Sequence, residues 1–263
     1  MGAGTGQHLH VEGNSLLHRM PATAKLVGLL ALIIVVVAIP KGTWFALVGS
    51  LCLGMIVLVS TGVGARHTLP RLAVDLPFVV FALVLPFVAT GTRVPLGPVT
   101  VSESGLVAAG TLLAKASTGA LVGVAFAVTT APRDLVLALQ QLRVPDPMVS
   151  IVSFMVRYLS VVSGELARMR IALASRGFRG RSLRSWPTIA ASAGALFVRS
   201  FERGERVHLA MLSRGYAGRL PALEAPATTP SMWALALAPA AIAGGLLAGA
   251  LRSARRRHGR GDD

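Results

Sequence analysis

Apolar residues fall into five long blocks separated by short polar or basic breaks, at about 22–39, 44–60, 72–90, 105–128 and 232–251. A bilayer-spanning helix needs ~20 apolar residues, and each block is close to that. The first block ends at Pro40-Lys41-Gly42. The third contains Pro77 and Pro86, which spanning helices tolerate when neighbours re-satisfy the freed backbone groups. The pattern predicts an all-α integral membrane protein with about five transmembrane helices.

The stretch 131–230 reads differently. Pro132 opens a short helix to about Leu142, and Pro145-Asp146-Pro147 breaks the chain and starts another. Asp146 is the expected cap and Pro147 the first-turn residue. That helix, 148–176, is apolar in its first half (Ile151, Val152, Phe154, Met155, Leu159, Val162) and charged in its second (Glu165, Arg168, Arg170, Arg176). About 28 residues make ~42 Å of helix. A basic linker, 178–185, leads to a further helix at about 187–214. There Ile189, Ala193, Leu196, Phe197, Ser200 and Phe201 recur at helical spacing, and Glu202 and Arg206 form an i, i+4 pair of the kind found on solvated faces. Both helices end alike, in Ala-Leu-Ala-Ser-Arg-Gly-Phe at 172–178 and Ala-Met-Leu-Ser-Arg-Gly-Tyr at 210–216. A glycine past the last turn, with arginine before it, is a C-terminal helix stop. Pro221, Pro226 and Pro230 punctuate the approach to the last span. The expected organisation is a polar segment at 1–21, a four-helix transmembrane region at 22–130, a helical region at 131–230, a last span at 231–252 and a basic tail at 253–263.

Composition agrees with a membrane protein: 53% of the 263 residues are hydrophobic, 14% are charged, and mean hydropathy is +0.66. The net charge of +15 has a location. Fourteen of the 26 basic residues lie between Arg133 and Arg219, and all fourteen are arginine, the cation suited to geometrically defined pairing with carboxylates. No zinc pattern or RNA-reading aromatic motif accompanies them, so no nucleic-acid partner is expected. Basic residues near the spans place the N-terminus (Arg19, Lys25) and the loop bearing Arg66 and Arg71 in the cytoplasm, with 131–230 also inside. A single last span then leaves Arg252, Arg255, Arg256, Arg257 and Arg260 outside, against the rule. Either the tail departs from it or the parity does, and 151–162 is apolar enough for a partial span.

Candidate chemistry is sparse. Asp75, Glu103, Asp134 and Glu165 are scattered, and no paired carboxylate or nucleophile arrangement appears, so neither a catalytic residue nor a membrane-embedded enzyme is favoured. No Gly-rich Lys-Ser/Thr phosphate loop exists, so any ATP hydrolysis belongs to a partner. The spans show no internal repeat of the kind secondary transporters carry. His8, His10 and His18 have no carboxylate or cysteine cluster beside them, and neither a metal ligand nor a cofactor is assigned. Cys52 reads as a small buried apolar residue. Lys115, within the fourth block, is either a functional ionisable group or a snorkelling side chain. Asp75 is expected at the interface with Arg71 one turn away. Arg179, Arg181 and Arg184 read as a membrane-surface face, and Gly119/Gly123 and Gly245/Gly249 as close helix packing.

These features resemble the T component, the transmembrane coupling subunit of energy-coupling factor transporters, whose coupling helices end in two Ala-Arg-Gly-like motifs. Here both read Ser-Arg-Gly: serine replaces alanine, while Arg176, Gly177, Arg214 and Gly215 stand. Leu16-Leu17-His18-Arg19-Met20-Pro21 followed by Lys25-Leu26 is similar to the family's segment before the first span, with Met20 where aspartate is common. Thr129-Thr130-Ala131-Pro132, then Leu139-Gln140-Gln141-Leu142-Arg143-Val144-Pro145, is similar to the approach to the first coupling helix. Arg157-Tyr158-Leu159 and Glu165-Leu166-Ala167-Arg168-Met169 resemble the long helix. Arg199-Ser200-Phe201-Glu202-Arg203-Gly204-Glu205-Arg206, leading to Ala210-Met211 and Arg214-Gly215-Tyr216, is similar to the cobalt-type, CbiQ-like branch.

The resemblance covers most of 15–220. It implies a non-catalytic subunit in a bacterial or archaeal plasma membrane, with its coupling region in the cytoplasm. Two ATP-binding cassette ATPase subunits would dock on Ser175, Arg176 and Gly177 and on Ser213, Arg214 and Gly215. The motion would pass to a separate substrate-binding membrane subunit that imports cobalt or another divalent metal. A vitamin importer of the same architecture is the alternative.

Overall fold

The computed structural model describes residues 15–63, 73, 75–90, 93–96, 99–178, 185–218 and 229–258. Helices dominate: α1 (Leu16–Arg19), α2 (Ala22–Ala38), α3 (Trp44–Ser60), α4 (Leu76–Val88), α5 (Glu103–Thr129), α6 (Pro132–Gln141), α7 (Asp146–Ser175), α8 (Trp186–Leu212) and α9 (Pro230–His258). One feature was not expected from the sequence: a short antiparallel hairpin, β1 (Arg93–Leu96) with β2 (Val99–Ser102), which pairs Arg93 with Ser102 and Leu96 with Val99.

Among the described residues, α5, α7 and the 230–252 part of α9 are long and apolar enough to cross a bilayer, while α2, α3 and α4 are shorter apolar helices of 17, 17 and 13 residues. The apolar first half of α7 therefore belongs to one continuous helix of 30 residues. Surface chemistry agrees with a lipid solvent. On α4, Phe78, Phe81, Leu83, Phe87 and Val88 all point outward, a contiguous apolar surface that a protein in water rarely shows.

The chain divides into two compact units, 135–225 and the remainder from residue 10 onward. In the membrane unit, α2 packs on α9, α3 on α5 and α9, and α4 on α5. Leu32 and Val36 of α2, Leu53 of α3, Val122 of α5, and Ala240 and Ala243 of α9 form one buried cluster. Ile39, Ala46, Leu47 and Ala250 form a second. Small residues permit the close approach: a Cβ on Gly28 would stand 2.3 Å from the Ala236 carbonyl oxygen. Packing, rather than the hydrophobic effect, drives helix association in lipid, and it needs such positions.

Several sequence expectations need correction here. Gly119, Gly123 and Gly245 face open space, and Gly249 meets only Phe45 at ordinary contact distance. Close packing falls instead on Gly28, Gly49, Gly105 and Gly110. Cys52 is exposed rather than buried, on the outward side of α3. Asp146 lies inside the first turn of α7, with Pro145 at the cap position. His8, His10, Arg71, Arg179, Arg181 and Arg184 lie outside the described residues.

Lys115 has a structural role. From the middle of α5 its ammonium donates to the carbonyls of Val37 and Ile39, both at 2.8 Å, and so caps the end of α2. Lys25, at the start of α2, donates at 2.8 Å to the carbonyl of Thr129 at the end of α5. Helix ends leave carbonyls without intrahelical partners and carry partial negative charge, so a cation there satisfies both needs. Fourteen residues separate Lys25 from Ile39, and fourteen separate Lys115 from Thr129. The two antiparallel helices are thus pinned at two points ~21 Å apart.

Candidate functional site

The second unit carries α7 and α8, each exposing large apolar side chains. On α7 these include Met148, Ile151, Met155 and Leu159; on α8 they include Phe197, Val198, Phe201 and Leu209. Only Val149 and Ser150 of α7 are buried, and no residue of α8 is. Phe154–Tyr158 and Phe197–Phe201 stack along each helix at ring-centroid separations of 6.3 and 6.4 Å. Glu202 and Arg206 make the expected i, i+4 pair at 3.8 Å, both well exposed.

The two helix ends share one geometry, atom for atom. At the first, Gly177 takes φ +75°, its N–H donates to the Ala174 carbonyl at 3.0 Å, and the Phe178 N–H donates to the Leu173 carbonyl at 3.1 Å. At the second, Gly215 takes φ +81°, its N–H donates to Leu212 at 3.0 Å, and the Tyr216 N–H donates to Met211 at 3.0 Å. This bond pair closes a helix through a left-handed residue, which glycine adopts without a Cβ penalty. The serines match as well: Ser175 Oγ donates to the Ala172 carbonyl and Ser213 Oγ to the Ala210 carbonyl, both at 2.9 Å. Their hydroxyl protons are therefore used inside the helix. Leu173 and Phe178, like Met211 and Tyr216, are half-buried, whereas Arg176 and Arg214 are exposed. Each tip is a fixed turn presenting one arginine.

The same bond pair ends α6: the Arg143 N–H donates to Gln140 and the Val144 N–H to Leu139, at 3.0 and 3.2 Å. There Arg143 itself occupies the left-handed position, at φ 56°.

The sequence singled out both tips but not what ties their helices together. Arg203 of α8 pairs with Glu165 of α7, whose side chain is only 12% exposed. Glu165 lies twelve residues before Gly177, and Arg203 lies twelve before Gly215. The brace therefore stands ~18 Å of helix from either tip, at equivalent positions of the two helices. No spacing rule connects residues 38 apart on different helices, so only the folded chain reveals it. Among the described residues no group of three or more His, Cys, Asp and Glu comes together to hold a metal ion.

A family model described as CbiQ, cobalt transport protein, matches residues 13–223. The cobalt transport protein CbiQ of Rhodobacter capsulatus is 30% identical over 212 residues, which cover 76% of this chain and 83% of that protein. An uncharacterised protein of Methanocaldococcus jannaschii is 31% identical over 98 residues, and the match spans 37% of each chain. A putative fused cobalt transport protein CbiMQ of Methanocorpusculum labreanum is 32% identical over 123 residues, 46% of this chain and 20% of the fusion. The family match takes in α1 to α8 and both Ser-Arg-Gly tips, and with these relatives it establishes that the chain belongs to the CbiQ family of cobalt transport proteins.

Proposed function

We propose that this chain is the coupling subunit of an energy-coupling factor importer for cobalt. In this reading each tip, Ser175-Arg176-Gly177 and Ser213-Arg214-Gly215, seats in a groove of one of two ATP-binding cassette ATPase subunits on the cytoplasmic side. ATP-driven closure of the pair moves α7 and α8, and a separate substrate-binding membrane subunit releases its ion inward.

The observation that supports this most is the duplication of the tips down to individual hydrogen bonds, at equal distances from the Glu165–Arg203 brace. Two equivalent receptors related by symmetry would require two equivalent ligands on equal arms. The arginines suit the role: a guanidinium presents a planar fork to a carboxylate, and a charge-assisted bond contributes roughly 1.5–3 kcal/mol. The glycine turn fixes the backbone from which each arginine projects.

The test is co-purification from native membranes, comparing the wild type with Arg176→Glu/Arg214→Glu. The expected result is loss of the ATPase subunits from the variant while it remains folded in the membrane. The small membrane protein that co-purifies with the wild type identifies the cargo. If the wild type brings down no ATPase, the coupling role is wrong.

A further inference from the structure

Between α7 and α8 lies an open cavity of about 520 Å³, within the size range of ligand sites. Its cationic lining is Arg168 and Arg176 from α7 and Arg199 from α8. None of these three arginines has a carboxylate partner among the described residues. The carboxylate in the lining, Glu165, is already engaged by Arg203. Three guanidiniums without a carboxylate partner leave this concavity with excess positive charge, which an anion placed among them offsets. All three are arginine, the side chain whose fork matches phosphate oxygens bidentately.

The remaining surface says which phosphate. Met169, Ala172 and Leu173 form an apolar wall on α7. A fully hydrated inorganic anion gains nothing from that wall, whereas the glycerol and first acyl carbons of a lipid do. We infer that this cavity binds the phosphate headgroup of an anionic phospholipid, held by Arg168 and Arg199. Basic clefts between the helices of membrane proteins take such headgroups. The inference does not depend on the ATPase docking proposed above, and Arg168 and Arg199 lie outside both Ser-Arg-Gly tips, so the two readings fail separately.

The test is calorimetric titration of the full-length chain in nonionic detergent with dihexanoyl phosphatidylglycerol, dihexanoyl phosphatidylcholine and sodium phosphate. Saturable binding of phosphatidylglycerol is expected, with at least tenfold weaker affinity in Arg168→Gln/Arg199→Gln. The control Arg133→Gln/Arg157→Gln removes the same charge elsewhere and should bind like the wild type. Circular dichroism confirms that each variant keeps its helices. Should the glutamine pair not fold, Arg168→Lys/Arg199→Lys keeps the charge, loses the fork, and is expected to bind several-fold more weakly. Equal binding of phosphatidylcholine, displacement of the lipid by equimolar phosphate, an equal loss in the control pair, or wild-type affinity in whichever site pair folds would each overturn the assignment.

Discussion

If the two tips dock ATPase subunits as proposed, replacing Gly177 or Gly215 separates the shape of a tip from its contacts. Both glycines sit in the left-handed region, and a Cβ added at either would meet nothing within 4 Å. Alanine therefore causes no clash within this chain, only the ~1–2 kcal/mol cost of holding a left-handed conformation. That cost opposes the turn that aims Arg176 or Arg214. If the ATPase binds only the closed turn, apparent affinity falls with the population of that turn, by up to about 5–30-fold per tip. In the proposed arrangement each tip has its own ATPase subunit, so the double alanine variant should lose up to about 2–4 kcal/mol. Asparagine tolerates the left-handed region and should lose least, while β-branched valine should lose most. The assay is equilibrium binding of the purified ATPase pair to each variant of the full-length chain in nanodiscs. An order of asparagine, alanine, valine from tightest to weakest supports a preset turn. If alanine binds like glycine while the bulkier asparagine binds worst, side-chain volume at the groove decides, and the turn-based reasoning is wrong.

Lys115→Met removes two charge-assisted bonds to Val37 and Ile39 and should destabilise the membrane unit by about 2 kcal/mol; combined with Lys25→Met, the losses should add to within ~0.5 kcal/mol, read from unfolding in detergent. Gly28→Ala must push α2 from Ala236 and should cost about 1–3 kcal/mol, whereas Gly119→Ala, facing open space, should gain up to ~1 kcal/mol from helix propensity; the same unfolding assay distinguishes the two. Glu165→Gln breaks the brace, and hydrogen exchange along α8 should accelerate while α2 and α5 remain protected. Arg143→Gly places glycine where φ is already 56° and should stabilise the end of α6 by ~1 kcal/mol, measured as slower exchange at the Arg143–Val144 amides.

Local chemistry explains which features were legible in the sequence. The helix stops at Gly177 and Gly215 depend on residues within one turn, so cap chemistry alone foretells them. The apolar helices announce themselves because lipid, unlike water, leaves Phe81 or Leu83 outside. The hairpin carried a weaker signal, Gly97-Pro98 between two short runs, with Pro95 arguing against a strand. Gly119 and Gly123 show the limit of periodicity: i, i+4 spacing puts two residues on one face without saying what that face meets. Lys25 with Thr129, Lys115 with Val37 and Glu165 with Arg203 are 104, 78 and 38 residues apart. Such pairs exist only once the helices have chosen neighbours, and a single sequence does not encode that choice in any local pattern.

The lysine pins on α2 and α5 bear on where the chain first yields as well as on stability. Thr129, held by Lys25, is the last residue of α5, and the boundary of the membrane unit follows within a few residues. The end of α5 is thus held by a side chain from another helix of the same unit rather than left to fray. A helix end tied into the core opens only when the core does, so α5 should resist local opening as far as Thr129, and the chain should first yield at Thr130 and Ala131.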